Sequence, residues 1–147
     1  QEPQEGKTQL EYNRRYYQEI LDVVKVYKDY SILGHLDVIK RYDKHGEIEF
    51  EKIKDLIEQI FEIVIADGKG IELNTSSRAY KLKSLMPSKE ILKLYHDMGG
   101  KIITIGSDAH NADRIGDCVM ESQKILKDIG FEGIYTFEKM KPEFHKF

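Results

Sequence analysis

Gly106-Ser107-Asp108-Ala109-His110 places a carboxylate and an imidazole two residues apart, directly after the apolar run Ile102-Ile103-Thr104-Ile105. Asp and His are natural ligands for Zn, Mn or Fe. An isolated Asp-x-His is equally a capped turn, so the reading depends on what else the chain brings to the same place. Gly34-His35-Leu36-Asp37 follows a second short β-like run, and Ile71-Glu72-Leu73-Asn74 forms a third. Side chains alternate along a strand. His35 with Asp37, Glu72 with Asn74, and Asp108 with His110 are therefore each expected on one side, while Leu36, Ile71, Leu73 and Ile105 suit the side that helices cover. Three strands would then end in polar pairs facing the same way, as at the C-terminal strand ends of a βα barrel. Asp37 could ligate a metal or orient His35. Glu72 could be a ligand, a base or a partner for a buried cation, and the structural role is favoured because buried carboxylates are usually paired. Asn74-Thr75-Ser76-Ser77 reads as a polar turn or helix cap that, with Arg78, could hold an anion. Arg41, beyond the first of these strands, and Arg78, beyond the second, suit bidentate phosphate binding.

The elements that must position these residues follow from periodicity. A helix is expected over 8–29: Thr8 and Glu11 have capping-box spacing, and Tyr16, Ile20, Val23, Val24 and Tyr27 recur at helical intervals. A strand at Tyr30–Leu33 leads to a polar loop over 38–49. A helix over about 50–67 carries Phe50, Ile53, Ile57, Ile60, Phe61 and Val64 on one face, and the glycines of Asp67-Gly68-Lys69-Gly70 stop it. After the strand from Ile71, Pro87-Ser88 opens a helix with Ile91, Leu92, Tyr95 and Met98. The strand 101–106 and the Asp-x-His segment lead to a helix bearing Ile115, Val119, Ser122, Leu126 and Ile129, with Cys118 near its apolar face as packing. Residues 133–138 form a fourth β-like run. Strands alternating with helical patterns indicate parallel βα units in an α/β fold, and strand starts near 30, 71, 102 and 133 recur at the length of a βαβ unit. The expectation is a single domain over 1–147: 1–7 loose, 8–29 helical, 30–137 built of βα units, and 138–147 a polar and aromatic tail. His45, His96 and His145 are expected to lie outside the site.

Composition narrows the classes of function. The chain of 147 residues is 40% hydrophobic and 33% charged, as in an ordinary globular domain. Its 23 basic and 26 acidic residues leave a net charge of −3, which gives no support to a basic nucleic-acid groove. No apolar run suits a bilayer span and no signal-peptide pattern opens the sequence, so no membrane partner is expected. Cys118 is the lone cysteine, excluding an internal disulfide and fitting a cytoplasmic setting.

The segments GHLDVIKRYD (34–43), IELNTSSRAY (71–80) and IGSDAH (105–110), in that order, resemble the C-terminal half of a histidinol phosphatase of the PHP (polymerase and histidinol phosphatase) family, and GFEGIYTFEKMKP (130–142) is similar to that family's C-terminal end. The resemblance implies a distorted TIM-like (β/α)7 barrel, of which this chain supplies about half. It implies that His35, Asp108 and His110 are metal ligands, with Asp108 and His110 at the catalytic centre, in a cluster of up to three divalent ions. Arg41 and Arg78 would contact phosphate, with Asp37 and Asn74 supporting from behind, and Glu72 matches a barrel-lining acidic position outside the usual ligand set. The family's opening His-x-His, its later N-terminal histidines and its ligand glutamate have no counterpart here, and residues 1–29 contain no histidine. The chain is accordingly expected to be part of a longer protein, with the N-terminal half as its partner. The implied reaction is hydrolysis of L-histidinol phosphate to L-histidinol and phosphate in histidine biosynthesis. Two rivals remain open: a related phosphoesterase acting on another phosphomonoester or on nucleic-acid phosphodiesters, and an inactive fragment serving only as an assembly half.

Overall fold

A computed structural model describes residues 4–147. The elements run α1 (Gln9–Val26), β1 (Ile32–Leu33), α2 (Lys54–Ala66), β2 (Gly70–Asn74), α3 (Lys89–Asp97), β3 (Ile103–Gly106), α4 (Val119–Ile129), β4 (Gly133–Glu138) and β5 (Lys141–Lys146), with short 3-10 turns between them.

The N-terminus of α1 forms as its capping box predicts. The Thr8 hydroxyl accepts from the Glu11 N–H at 3.2 Å, and the Glu11 carboxylate accepts from the Thr8 N–H at 2.8 Å, a device worth about 1 kcal/mol. The helix ends at Val26 rather than at 29, and its buried face is Tyr12, Asn13, Tyr17, Leu21 and Val24. Val23 and Tyr27, expected inside, are exposed. A polar residue on the inward stripe hid its true position: Asn13 is buried because its amide donates to Asp43 at 2.6 Å.

Residues 1–3 of the segment expected to be loose lie outside the described residues, and the rest of it is held. Gln4 is 7% exposed, donates to Asp43 Oδ1 at 3.0 Å and accepts from the Lys44 N–H at 2.8 Å. Burial alone would push the Asp43 carboxyl up, but the His45 backbone N–H and the amides of Asn13, Gln4 and Gln9 outweigh it and hold the group below the ordinary carboxylate range. A carboxylate depressed in the folded state stabilises above its unfolded pKa of about 3.9, and that contribution is lost as pH falls through the folded value. Asp43→Asn is therefore expected to show a shallower loss of stability between about pH 4 and pH 2 than the wild type in urea melts. Parallel acid profiles would remove Asp43 from the list of acid-sensitive anchors.

Strands β1, β2 and β3 form a parallel sheet in that order, with Ile71 opposite Ile103 and Asn74 opposite Gly106. Ile71, Leu73 and Ile103 are fully buried together with Ile57, Ile60, Phe61 and Val64 of α2 and Leu92 and Tyr95 of α3. The rings of Phe61 and Tyr95 meet edge to face at 5.1 Å, a geometry that aromatic quadrupoles favour. On the opposite face Glu72 pairs with Thr104 and Asn74 with Gly106, which leaves the polar side chains on the side away from α2 and α3.

Four expectations for the C-terminal part need correction. The fourth β-like run does not extend the parallel sheet, and 138–147 is not a tail: β4 and β5 form an antiparallel hairpin. Lys139 and Met140 make its two-residue turn at φ 50° and 64°. Such turns usually carry Asn-Gly or Asp-Gly, and β5 is exposed throughout, so neither turn chemistry nor alternation marked it. Ile115 lies before α4 and is exposed, and Cys118 stands at the N-cap of α4 with φ 58° instead of on its apolar face. No helix among the described residues is long and apolar enough to cross a membrane.

Candidate metal and phosphate site

The C-terminal ends of β1, β2 and β3 lie side by side, because the sheet is parallel and its strands adjacent in chain order. Asp108 and His110 follow β3 on a tight turn in which Asp108 takes φ 49°. His110 Nδ1 lies 2.9 Å from the Asp108 carbonyl oxygen and 4.0 Å from the Asp108 carboxylate. A carbonyl only accepts, so in the neutral ring this contact assigns the proton to Nδ1 and leaves Nε2 as the acceptor. A backbone carbonyl fixing one ring nitrogen is how metal-ligating imidazoles are commonly oriented. The His110 side chain is 71% exposed and that of Asp108 30%, so both donors are accessible.

His35 reaches the same end of the sheet by a different route from the one expected. β1 stops at Leu33, and His35 takes φ 33°, so the chain does not stay extended and His35 and Asp37 do not share a side. His35 is exposed while Asp37 is 3% exposed. Asp37 Oδ2 accepts from Lys40 Nζ at 2.9 Å and from the Ser88 N–H at 2.9 Å, and Lys40 Nζ donates further to Ser84 Oγ and the Leu85 carbonyl. Burial raises the Asp37 carboxyl above its ordinary range, offset in part by the Lys40 charge. Asp37 is thus a structural staple between the β1 exit and the approach to α3, not a partner of the His35 ring.

Glu72 sits at the middle of the strand ends. Its Oε2 accepts from the His35 N–H at 2.9 Å and from Asn74 Nδ2 at 3.2 Å, and its Oε1 occupies the space that a Cβ on Gly106 would fill. Asn74 also accepts the Ser76 N–H at 2.9 Å, capping the 3-10 turn Thr75–Ser77. The structural role favoured for Glu72 is thus met by a backbone N–H and an amide instead of a buried cation, and the signal for its position is the pair of glycines, Gly34 and Gly106, on the flanking strand ends.

The two arginines are each engaged. The Arg41 guanidinium lies 3.2 Å over the Tyr80 ring, a stack that leaves its edge donors free. Arg78 donates to Cys118 Sγ at 3.3 Å, and Thr75 Oγ1 donates to the Asp117 carbonyl at 2.6 Å, so the loops after β2 and β3 are tied together. Cys118 is therefore an acceptor at the rim instead of core packing. Among the described residues no three His, Cys, Asp or Glu side chains are gathered closely enough to hold a metal ion; Asp108 and His110 come together and His35 stands apart from them. His45 is exposed, His145 contacts Thr136, and His96 packs on Phe131 at 5.0 Å beside a cavity of about 360 Å³. That cavity lies at the N-terminal end of β3, away from the paired donors, and the chemistry follows the donors.

The family model of the PHP domain matches residues 1–76, half of the chain. The chain belongs to the PHP domain family. The PHP match takes in His35, Arg41, Glu72 and Asn74 and stops before Arg78, Asp108 and His110. Individual PHP relatives carry the likeness further. A probable histidinol-phosphatase of Thermotoga maritima is 36% identical over 119 residues, covering 81% of this chain and 49% of its own length. The histidinol-phosphatase of Lactococcus lactis is 30% identical over 143 residues, covering 95% and 52%. A crystal structure of histidinol phosphate phosphatase from L. lactis, complexed with zinc, L-histidinol and phosphate, superposes with a TM-score of 0.81 at 28% identity over 95% of this chain and 53% of that one. This PHP chain therefore spans about half the length of the relatives it matches, and its mixed α/β fold with a parallel sheet is similar to that of the L. lactis structure.

Proposed function

We propose that this chain is the C-terminal part of a metal-dependent phosphomonoester hydrolase, a histidinol phosphatase that converts L-histidinol phosphate and water to L-histidinol and phosphate in histidine biosynthesis. The observation that carries the reading is the Asp108–His110 pair, held so that in the neutral ring His110 Nε2 is left as the acceptor beside an accessible carboxylate. An imidazole nitrogen and a carboxylate oxygen suit zinc, with Mn or Fe as alternatives, and the L. lactis relative carries zinc with the reaction's product and phosphate. Asp108 and His110 together, and His35 apart from them, would each supply ligands to a cluster of up to three ions that the preceding half of the protein completes. A divalent cation held there would polarise the phosphoryl oxygens and lower the pKa of bound water, which supplies a nucleophile at neutral pH.

The chain's own residues would do the rest. Asp108 and His110 set the position of the reacting phosphate at the end of β3. Arg41, braced on Tyr80, and Arg78, braced on Cys118, would present guanidinium donors to the phosphate oxygens, where charge develops in the transition state. The sheet forms about half of a distorted (β/α)7 barrel, and the preceding half of the protein supplies the remaining strands and ligands. The substrate is a small phosphate ester and the setting cytoplasmic, in keeping with a net charge of −3 and a lone cysteine.

Phosphate release with added Zn²⁺ or Mn²⁺ from L-histidinol phosphate, a nucleoside monophosphate and short single-stranded DNA tests this directly, with the chain joined to its N-terminal half. Turnover of L-histidinol phosphate at least tenfold above the others is expected. Preference for the nucleotide or the DNA would replace the reading with that of a different phosphoesterase, and no turnover of any of them would leave an assembly role.

A further inference from the structure

We propose that Glu72 is a positioning residue of the metal site: its carboxylate clamps the His35 backbone and so fixes where that imidazole stands relative to the Asp108–His110 pair. This rests on the reading above that these three residues hold metal. Four observations converge on it. His35 is a non-glycine residue at φ 33°, a backbone state that needs outside support. Glu72 Oε2 accepts the His35 N–H at 2.9 Å, a charge-assisted bond stronger than a neutral one. Asn74 Nδ2 holds the same oxygen at 3.2 Å, and Asn74 is 1% exposed and tied to the Ser76 N–H, so the carboxylate is itself held in place. Finally, the strand ends leave room for it on both sides: a Cβ at Gly34 would stand 3.4 Å from Oε2, and one at Gly106 would fall on Oε1. Glu72, on the middle strand, is thereby in contact with the ends of both neighbours, one leading to His35 and the other to Asp108 and His110.

The glycine makes the role separable from bulk stability. Ala at 106 meets the far end of a flexible side chain, so Glu72 can swing aside without a shift of the strands, and in swinging aside it releases the His35 N–H and the Asn74 amide. Gly106→Ala should then reproduce the effect of Glu72→Ala, and in a Glu72→Ala background it should do nothing more. Glu72→Gln keeps an acceptor for the His35 N–H and should restore most of the clamp.

The test uses ¹⁵N-labelled full chain, joined to its N-terminal half, with two readouts: the chemical shift and exchange protection of the His35 amide, and zinc affinity by chelator competition. Glu72→Ala and Gly106→Ala are each expected to move the His35 amide upfield, to abolish its protection and to weaken zinc binding about 10- to 100-fold, the usual effect of losing a ligand-orienting group. The double variant should match Glu72→Ala alone, and Glu72→Gln should lie within a few-fold of the wild type. An unmoved His35 amide in Glu72→Ala, or effects of the two substitutions that multiply, would overturn the proposal. If Glu72→Ala does not fold, Gly106→Ala and Glu72→Gln decide the matter by the same readouts. A wild-type chain that binds no zinc while its His35 amide still responds to Glu72→Ala would overturn the metal reading instead of the clamp.

Discussion

Alanine at Asp108 or at His110 is expected to lower phosphate release from L-histidinol phosphate by about a thousandfold while leaving the melting temperature near the wild-type value. The first half of that expectation comes from the chemistry. Charge stabilisation by a correctly held metal is worth several kcal/mol in a hydrolytic transition state, and about 4 kcal/mol corresponds to a thousandfold in rate. The second half comes from the structure. The His110 side chain is 71% exposed and outside the core cluster, and its one described hydrogen bond is to the Asp108 carbonyl. Removing it leaves no cavity and no buried group without a partner. Asp108, with its side chain 30% exposed, already bears the penalty of φ 49°, so alanine there adds only the small difference between two L-residues in that backbone state. Steady-state turnover, zinc content and a thermal melt on the same preparations check both halves. Wild-type turnover in both variants would remove the pair from the site, and a collapse in melting temperature would mean that the turn after β3 is structural.

The opposite pattern is expected at Asp37 and Lys40, which are 3% and 8% exposed. Asp37→Ala leaves the Lys40 ammonium buried with only Ser84 Oγ and the Leu85 carbonyl to hold it. Lys40→Met leaves the Asp37 carboxylate with the Ser88 N–H alone, its Oδ1 already having no partner. Breaking a buried pair from one side typically costs about 3–5 kcal/mol, because the remaining charge stays buried without its partner. Each single variant should therefore lose that much in urea titration. The combined Asp37→Leu, Lys40→Met change should fall within about 1 kcal/mol of the wild type or exceed it, since an apolar pair avoids desolvating two charges. Additive losses in the double variant would show that the two side chains act independently. The staple joins the β1 exit to the segment before α3, so the single variants are also expected to loosen the loop that carries Arg41.

These two sites show what the sequence made legible. Chain order in a parallel sheet was enough to expect Asp108 and His110 beyond the end of β3, but a tight turn with Asp108 at φ 49°, and not alternation, brings the two together. Asp37 was misassigned by alternation, because β1 has two residues and the backbone turns at His35; alternation holds only while a chain stays extended. The cores of α2 and α3 followed from their apolar spacing, but the α1 stripe was shifted by Asn13, whose burial depends on a carboxylate 30 residues away. The hairpin of β4 and β5 lacked the usual turn residues, and its second strand is exposed throughout. Glu72 has the structural role its sequence setting favours, but its partners are a backbone N–H beyond another strand and the Asn74 amide instead of a buried cation, which no local pattern reveals. The arginines were placed by proximity to the strand ends, while their braces, Tyr80 and Cys118, came from loop geometry that spacing does not encode.

The left-handed backbone at His35 and Asp108 sets two demands against each other. At both positions glycine would relieve the conformational penalty that L-residues carry at positive φ, and at both it would remove the imidazole or carboxylate that the proposed chemistry requires. Selection for folding alone would drift toward glycine there, and selection for turnover would oppose it. The strand ends of this fold are thus a place where stability and function trade off residue by residue, and thermostabilising substitutions are better sought in the helices behind the sheet than in the turns in front of it.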